Sequence, residues 1–280
     1  MICYLTFDVE EWFMVENLRA VNPKEVWESR NSTVLKNTQK ILQLLKEQQV
    51  KATFFVLGSV AEDNPQLVPE IIAGGHEVAS HGYGHDLTFQ LTDDELRDDL
   101  ARTRDILSAQ SGAPISGYRA PNFSVNDRVI SLLKELGFAY DSSYNPFALN
   151  KRHGSINGEL QPAGNGFYRT PQGIFEMPIS TTPFLMENFP IGGGAYFRIM
   201  PLPIFKRLVK SRLKRSGHYN FYLHPWEFEP EQPRIKGISL NHAFRHYYGL
   251  QNTIKKFSRL IEYLKRLNCQ FKTLKEGLPN

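Results

Sequence analysis

The chain has 280 residues, of which 41% are hydrophobic and 22% charged, as in an ordinary globular protein. Its net charge of +4 is too small to indicate nucleic-acid binding, and no basic run is interleaved with aromatic side chains. No apolar run approaches the roughly 20 residues that cross a bilayer, and the N-terminus lacks the features of a signal peptide. We therefore expect a cytoplasmic protein without a transmembrane segment. Its two cysteines, Cys3 and Cys269, should be buried thiols, with a bridge between them as the alternative.

Short apolar segments alternate with amphipathic ones along the first half of the chain. The apolar segments predict strands, and the amphipathic ones predict helices, because their apolar residues recur at helical spacing. Thr92 precedes three acidic residues, which is typical of a helix start. The predicted strands span 2–8, 52–57, 76–80, 116–119 and 138–141, and the predicted helices span 31–49, 65–73, 92–110 and 127–136.

The alternation of strands and helices stops over residues 145–203. This segment is rich in Gly, Pro, Thr and Asn, which predicts β-hairpins and long loops. The alternation resumes with a strand over 219–223, a helix over 250–267 and a strand over 270–274. Such alternation implies parallel strands joined by right-handed crossovers. About seven units fit, so we expect an α/β fold: one domain over 1–280, a distorted or incomplete (β/α) barrel with 145–203 as an insertion. An open doubly wound sheet is the less favoured alternative. In a barrel the chemistry lies at the carboxyl ends of the strands.

Acidic side chains follow the first predicted strand, in the sequence TFDVEE. Asp8 and Glu10 are two residues apart, so on an extended segment they point to the same side. Two buried acids on one face are costly unless a cation lies between them. Solvent-exposed acids at a strand end are the alternative.

Two histidines follow the third predicted strand, in the sequence SHGYGH. His81 and His85 are four residues apart, so on a helical turn they would share a face and could hold one metal ion. Imidazoles with a carboxylate form a zinc-type ligand set, and three protein ligands leave a position for water. We therefore expect one divalent ion, with zinc as the default and nickel or cobalt as alternatives. A chance pair of histidines is the other explanation.

Two further side chains lie at the carboxyl ends of predicted strands: Arg119 ends one strand, and His224 directly follows another. Arg119 could clamp the Asp8 carboxylate and keep it ionised. His224, in YLHPWE, could act as a general acid beside a metal site. A surface arginine and a satisfied loop histidine are the respective alternatives.

The ordered motifs TFDVEE, SHGYGH, GYRAPNF and LHPWE resemble those of the NodB-homology polysaccharide deacetylases. The first motif, PIGGGAYFR and FRHYYGL are most similar to the subgroup associated with exopolysaccharide loci. The resemblance covers nearly the whole chain. It implies Asp8 as the catalytic base, oriented by Arg119, with His81 and His85 as metal ligands and His224 as the acid.

The sequence departs from the family at the carboxylate ligand, where Asp is usual and this chain offers Glu10 or Glu11. Strand alternation favours Glu10. A backbone N–H near Asn122 or Phe123 would help to hold the oxyanion, and Trp226 could stack on a sugar ring, with core packing as the alternative.

The sequence thus predicts a metal-dependent hydrolase that removes acetyl groups from N-acetylated sugars of a polysaccharide or glycan precursor. The alternatives are an amidase for a small non-sugar amide on the same scaffold, and an inactive carbohydrate-binding protein. Gly192, Gly193 and Gly194 are interpreted as loop geometry. Basic residues over 206–215 predict a solvated helix face, or contact with an anionic membrane or a lipid-linked sugar phosphate.

Overall fold

The structure is a computed structural model that describes residues 1–146, 154–184 and 187–279. The strands are β1 (Ile2–Val9), β2 (Thr53–Val56), β3 (Glu77–Ser80), β4 (Gly117–Tyr118), β5 (Tyr140–Asp141), β6 (Gln161–Gly164), β7 (Phe167–Arg169), β8 (Phe175–Glu176), β9 (Thr181–Phe184), β10 (Glu187–Pro190), β11 (His218–Leu223) and β12 (Gln270–Phe271). The helices are α1 (Val34–Glu47), α2 (Gly58–Asp63), α3 (Leu67–Ala73), α4 (Asp93–Ser111), α5 (Asp127–Glu135), α6 (Gly194–Ile199), α7 (Leu202–Ser216), α8 (Leu240–Tyr247), α9 (Thr253–Arg266) and α10 (Leu274–Gly277).

Seven parallel strands form the body of the fold, in the order β11-β1-β2-β3-β4-β5-β8. The Asn220 side chain on β11 donates to the carbonyl oxygens of Met177 and Pro178, just past β8, at 3.4 and 3.2 Å. These bonds bring the two ends of the strand row together. The architecture is a distorted barrel of seven β/α units, which confirms the fold expected from the sequence.

Local sequence signals set the helix boundaries. Thr92 and Glu95 form the reciprocal capping box of α4, as the acidic start predicted, and Gly112 ends the helix at φ 67°. The first predicted helix was too long at its start, because α1 begins at Val34 rather than at residue 31.

The segment 145–203 is only partly an insertion. The expected hairpins are present as β6–β7 and β9–β10. The same segment also contains β8, which is a barrel strand, and α6, which begins at Gly194, the last glycine of the triplet. The interpretation of that triplet as loop geometry alone was therefore wrong. Residues 147–153 and 185–186 of the segment lie outside the described part of the chain.

The interior of the barrel is filled with side chains below the carboxyl ends of the strands. Tyr4, Phe55 and Tyr140 pack there with Phe167 of the β6–β7 hairpin and Leu274 of α10. The open space of the barrel is consequently at the carboxyl ends. Cys3 and Cys269 are free and buried. Across the described ranges, no helix has the length and apolar character needed to cross a membrane.

Candidate active site and metal centre

Side chains that follow four different strands meet around one cavity of about 550 Å³ at the carboxyl end of the barrel. Asp8 is the second-to-last residue of β1, and Glu10 directly follows the strand. The other side chains come after β3, β4 and β11: His81, His85, Arg119 and His224. Parallel strands place these loops together, although the residues are up to 216 positions apart in the chain.

Glu10, His81 and His85 form a compact, buried cluster of metal-ligand type. One donor atom from each lies within 4.8 Å of the other two. Glu10 Oε2 is 2.5 Å from His85 Nε2 and 3.8 Å from His81 Nε2. Two imidazoles and one carboxylate suit zinc, nickel or cobalt, so the donor set fits the divalent ion that the sequence predicts.

Neighbouring groups fix the orientation of these donors. His81 Nδ1 lies 2.8 Å from the Arg119 carbonyl oxygen, which can only accept, so Nδ1 carries the proton and Nε2 keeps its lone pair. Trp226 Nε1 donates to Glu10 Oε1 at 3.1 Å. Burial by itself would raise the pKa of Glu10, but the charges of His85 and His224 and hydrogen bonds from the histidines lower that pKa well below its usual value.

The spacing of the two histidines had suggested a helical turn, but they do not lie on one. Residues 81–87 form no helix. Instead the backbone turns through left-handed conformations at Gly82 (φ 77°) and His85 (φ 57°), which brings the imidazole centroids to 5.6 Å. Gly82 adopts such a φ without steric cost, whereas it is uncommon for a histidine.

Glu11 points away from the cluster and has a different task. Its carboxylate accepts hydrogen bonds from the backbone N–H groups of Thr33 and Val34 and from the Ser32 hydroxyl. These are groups at the first turn of α1, which have no partners within the helix. Glu11 therefore caps α1, and this is why the helix begins at Val34.

Asp8 is held by a fully buried arginine. Arg119 Nη1 donates to Asp8 Oδ1 at 2.6 Å and to Thr6 Oγ1 at 2.9 Å, while Nε and Nη2 donate to the backbone and hydroxyl oxygens of Ser142. The guanidinium also lies 4.1 Å from the Phe55 ring centroid. The bonds to Thr6 and Ser142 hold the guanidinium in place, and Asp8 Oδ2 lies 4.0 Å from His224 Nε2.

His224 is part of a buried chain of charges. Its Nδ1 lies 2.9 Å from Glu227 Oε1, and Glu227 Oε2 accepts from Arg198 Nε at 2.6 Å. Burial lowers the pKa of His224, but the carboxylates of Glu10, Glu227 and Asp8 together outweigh it and raise the pKa to about 9. The side chain keeps 19% of its surface exposed, with Nε2 toward Asp8 and Glu10.

The glycine triplet gives Glu227 its space. A Cβ atom on Gly194 would lie 2.1 Å from Glu227 Oε1, and one on Gly193 would lie 2.7 Å from the Tyr222 hydroxyl. Real Cβ atoms do not approach other atoms so closely, so any larger residue would displace Glu227. The start of α6 therefore packs directly against the partner of His224.

The residues proposed for substrate binding lie in different surroundings. Asn122 and Phe123 both line the cavity. The Asn122 side-chain nitrogen and the Asn145 oxygen are buried there without a hydrogen-bond partner among the described residues. Trp226 is only 6% exposed, and its ring stacks on His224 and His246 at 5.0 and 4.7 Å. Both faces of the Trp226 ring are therefore covered, which favours core packing, the alternative to sugar stacking.

Glu227 and Arg198 were missed by the sequence interpretation. Both were visible in motifs that carried the resemblance, LHPWE and PIGGGAYFR. The signal available was an acid three residues after the histidine, which reaches back to it across one turn. Nothing local indicated that an arginine 29 residues earlier would neutralise that acid.

One cavity of the barrel thus contains a cluster that could hold a metal ion, an aspartate bound by an arginine, and a histidine bound by a glutamate. Residues 3–140 match the family described as polysaccharide deacetylase, and residues 142–278 match a domain of unknown function, DUF3473. The similarity to polysaccharide deacetylases thus covers residues 3–140, just under half of the chain. The segment that matches DUF3473 contributes β11, and this strand pairs with β1 of the segment 3–140.

Individual proteins show the same similarity. The chain is 35% identical over 104 residues to a peptidoglycan-N-acetylglucosamine deacetylase of Bacillus cereus, covering 37% of this chain and 38% of that protein. It is 39% identical over 103 residues to a chitooligosaccharide deacetylase of Sinorhizobium fredii, covering 36% and 48%. The matched part is thus less than half of each relative. A family 4 carbohydrate esterase from Streptomyces lividans, solved in complex with acetate, has a TM-score of 0.54 at 16% identity, over 96% of this chain and 90% of that one.

Proposed function

We propose that the chain hydrolyses the acetamido group of N-acetylated sugars in a polysaccharide or glycan precursor, with a divalent metal ion. The observation that carries the proposal is that Asp8 and His224 flank the Glu10 cluster within one cavity, with His224 Nε2 4.0 Å from Asp8 Oδ2 and 3.7 Å from Glu10 Oε1. Amide hydrolysis needs one group to take a proton and another to give one, beside a group that stabilises negative charge. The names of the relatives support the substrate class.

Glu10, His81 and His85 would hold the ion, with zinc as the first choice and nickel or cobalt as alternatives. A bound divalent ion would polarise the acetyl carbonyl and lower the pKa of water. The chain itself supplies three buried donors, of which Glu10 is ionised and His81 has its lone pair directed by the Arg119 carbonyl.

Asp8 is the proposed base. Arg119 holds one carboxylate oxygen at 2.6 Å and leaves Oδ2 toward the cavity, where it can take a proton from the attacking water. The developing oxyanion needs an N–H donor. The sequence offered the backbone amides of Asn122 and Phe123 for this role. The Phe123 amide already donates to the Ala120 carbonyl at 2.9 Å, so we propose the Asn122 amide as the oxyanion donor.

His224 is the proposed acid. As the bond between the acetyl carbon and the sugar nitrogen breaks, the imidazolium would give its Nε2 proton to that nitrogen. The products are acetic acid, which ionises to acetate, and a free amine. Loss of the Asp8 proton to solvent and uptake of a proton by His224 return both groups to their starting forms. Glu227 and Arg198 act as positioning residues, because they hold Nδ1 and turn Nε2 toward the reacting atoms.

The cavity favours a polar substrate over a small apolar amide. Among the residues that the structure describes, the buried Asn122 nitrogen and Asn145 oxygen lack hydrogen-bond partners, and a sugar with hydroxyl and acetamido groups could satisfy both. Asn122 and Phe123 are therefore the proposed substrate contacts, together with the exposed edge of Trp226.

The exopolysaccharide subgroup is also part of the proposal. Its two additional motifs meet in the fold: Arg198 of PIGGGAYFR donates to the carbonyl oxygens of Arg245 and His246 in FRHYYGL. Arg198 and these two carbonyls thus support Glu227 and the proposed acid. The resemblance of the two motifs to the subgroup is what favours an exopolysaccharide as the substrate. The cytoplasmic location stays a prediction.

The test is acetate release from a panel of N-acetylated glycans, with the metal-free protein and after addition of zinc, nickel or cobalt. We expect release only with metal and only from acetamido sugars. Release from small non-sugar amides alone would identify the alternative amidase. Binding of the glycans without release under any metal would identify an inactive binding protein.

A further inference from the structure

The basic residues of this chain are concentrated in one segment. Residues 188–261 contain 13 Lys and Arg against 3 Asp and Glu, although the whole chain has a net charge of only +4. Two of the three acids are already paired, Glu227 with Arg198 and Glu229 with Lys36 and Lys40. This segment, which includes α7, α8 and the start of α9, is therefore strongly cationic, whereas the rest of the chain is acidic.

An apolar row lies on the exposed side of α8 within this segment. Leu240 is 91% exposed, and Phe244 and Tyr248 are each 48% exposed. Leu240 and Phe244 are four residues apart and share one side of α8, and Tyr248 follows at the C-cap of the helix. The Phe244 and Tyr248 rings contact each other at 4.7 Å. Large apolar side chains in such a row, rather than singly, mark an interaction surface.

The position of α8 connects this row to the proposed active site. His242, Arg245 and His246 of the same helix line the cavity that contains the metal-ligand cluster. One side of α8 thus forms the cavity rim, while the other carries the apolar row. Whatever covers the row would lie beside the cavity mouth.

A groove next to the row adds cations and no acid. About 820 Å³ in volume, it is lined by Leu240, Phe244 and Tyr248 together with Arg234 and Lys256, and none of its lining residues is Asp or Glu. Apolar side chains beside unopposed cations match the boundary between acyl chains and phosphate headgroups. An acidic protein partner would match the cations but would not need the apolar row.

The sequence had pointed to 206–215 as the segment that could meet a membrane. The structure shows that the apolar side of α7 is used in the core, because Phe205, Val209 and Leu213 are buried. The basic side of α7 can contribute attraction over a distance, and Ile204 near its start is 53% exposed. The larger exposed apolar surface is on α8.

We propose that the apolar row of α8 (Leu240, Phe244 and Tyr248), with the basic residues around it, docks on an anionic bilayer surface. The cavity mouth would then face glycans that are attached to or made at that membrane. This inference rests on the surface and not on the proposed catalysis, so it can succeed or fail independently of the deacetylase activity.

Co-sedimentation of the whole chain with vesicles tests the proposal. We expect binding to phosphatidylcholine vesicles that contain phosphatidylglycerol, little binding to phosphatidylcholine alone, and weakening as salt screens the charges. The double variant Leu240→Ser/Phe244→Ser should bind about tenfold or more weakly, because two apolar side chains no longer enter the interface. Neither residue lines the catalytic cavity, so acetate release from a soluble glycan should be unchanged.

Ile72→Ser is the matched control, since Ile72 is 39% exposed but lies on α3, outside the cationic segment. Equal binding of the native chain to neutral and anionic vesicles would overturn the proposal, as would an equal loss in Ile72→Ser. A native dimer that the double variant converts to a monomer, without vesicle binding, would show instead that a second copy covers the row. Thermal melting of each variant establishes that it is folded.

Discussion

Glu227 Oε1 lies 2.9 Å from His224 Nδ1, and this contact fixes which nitrogen of the imidazole faces the cavity. The Glu227 carboxylate is buried, yet its pKa stays below the usual value, because Arg198 and His224 outweigh the effect of burial. It therefore remains an anion over the working pH range. A buried anion at Nδ1 favours the protonated imidazole, which is the form that a general acid requires.

Replacing Glu227 by Gln should move the alkaline limit of activity to lower pH. The Glu227 carboxylate raises the pKa of His224, so the proposed acid stays protonated to higher pH, and activity falls where it loses that proton. Gln can still accept from Nδ1 but carries no charge, and Arg198 would then be unpaired, so the pKa of His224 should fall by roughly one unit. The measurement is kcat/KM against pH for both proteins.

His224→Ala is the reference for that experiment. It should keep its metal and lose the alkaline limb, and its turnover should fall less for substrates whose leaving amine is weakly basic. An unchanged limb in His224→Ala would show that another group is the acid. A uniform loss at every pH in Glu227→Gln would show that Glu227 only supports the loop.

The double variant His81→Ala/His85→Ala should lose metal and activity together. Only Glu10 would remain of the three donors, and one carboxylate does not hold a zinc-type ion against dilution. Elemental analysis of the purified protein gives the metal content per chain. Full occupancy in this variant would place the ion elsewhere.

Glu10→Gln and Glu11→Gln should separate metal binding from stability. Glu10 points into the histidine cluster, so its loss should weaken metal affinity well over tenfold, each decade corresponding to about 1.4 kcal/mol. Glu11 caps α1, so its replacement should leave affinity nearly unchanged and destabilise the fold by about 1 kcal/mol. Metal titration and thermal melting of both variants decide. The opposite order in the titration would contradict the assignment.

Asp8→Asn should retain the metal and lose about 100- to 10,000-fold in turnover, because an amide cannot take the proton of the attacking water. Arg119 can still donate to the Asn oxygen, so the fold should persist. Metal analysis and single-turnover acetate release test both parts. Turnover close to that of the native chain would exclude Asp8 as the base.

Local sequence patterns determined the barrel and the chemistry of its open end. Strand periodicity, helix caps and glycines depend on neighbours along the chain, and these decided the seven β/α units and the placement of Asp8, His81 and His224 after strands. The structure differs from the predicted elements in places, among them the first two helices. Helix α2 was not predicted, and α1 begins at Val34 because a side chain 23 residues earlier caps it.

Only the tertiary structure decided which partners these residues have. Periodicity indicates that a side chain faces inward but not what it meets there. Three features depend on elements brought together from distant parts of the chain. Trp226 is buried between two imidazoles, Arg198 neutralises Glu227, and the apolar row on α8 stays exposed. Such contacts are selected by packing and by the cost of an unpaired buried charge, and both act only once the chain is folded.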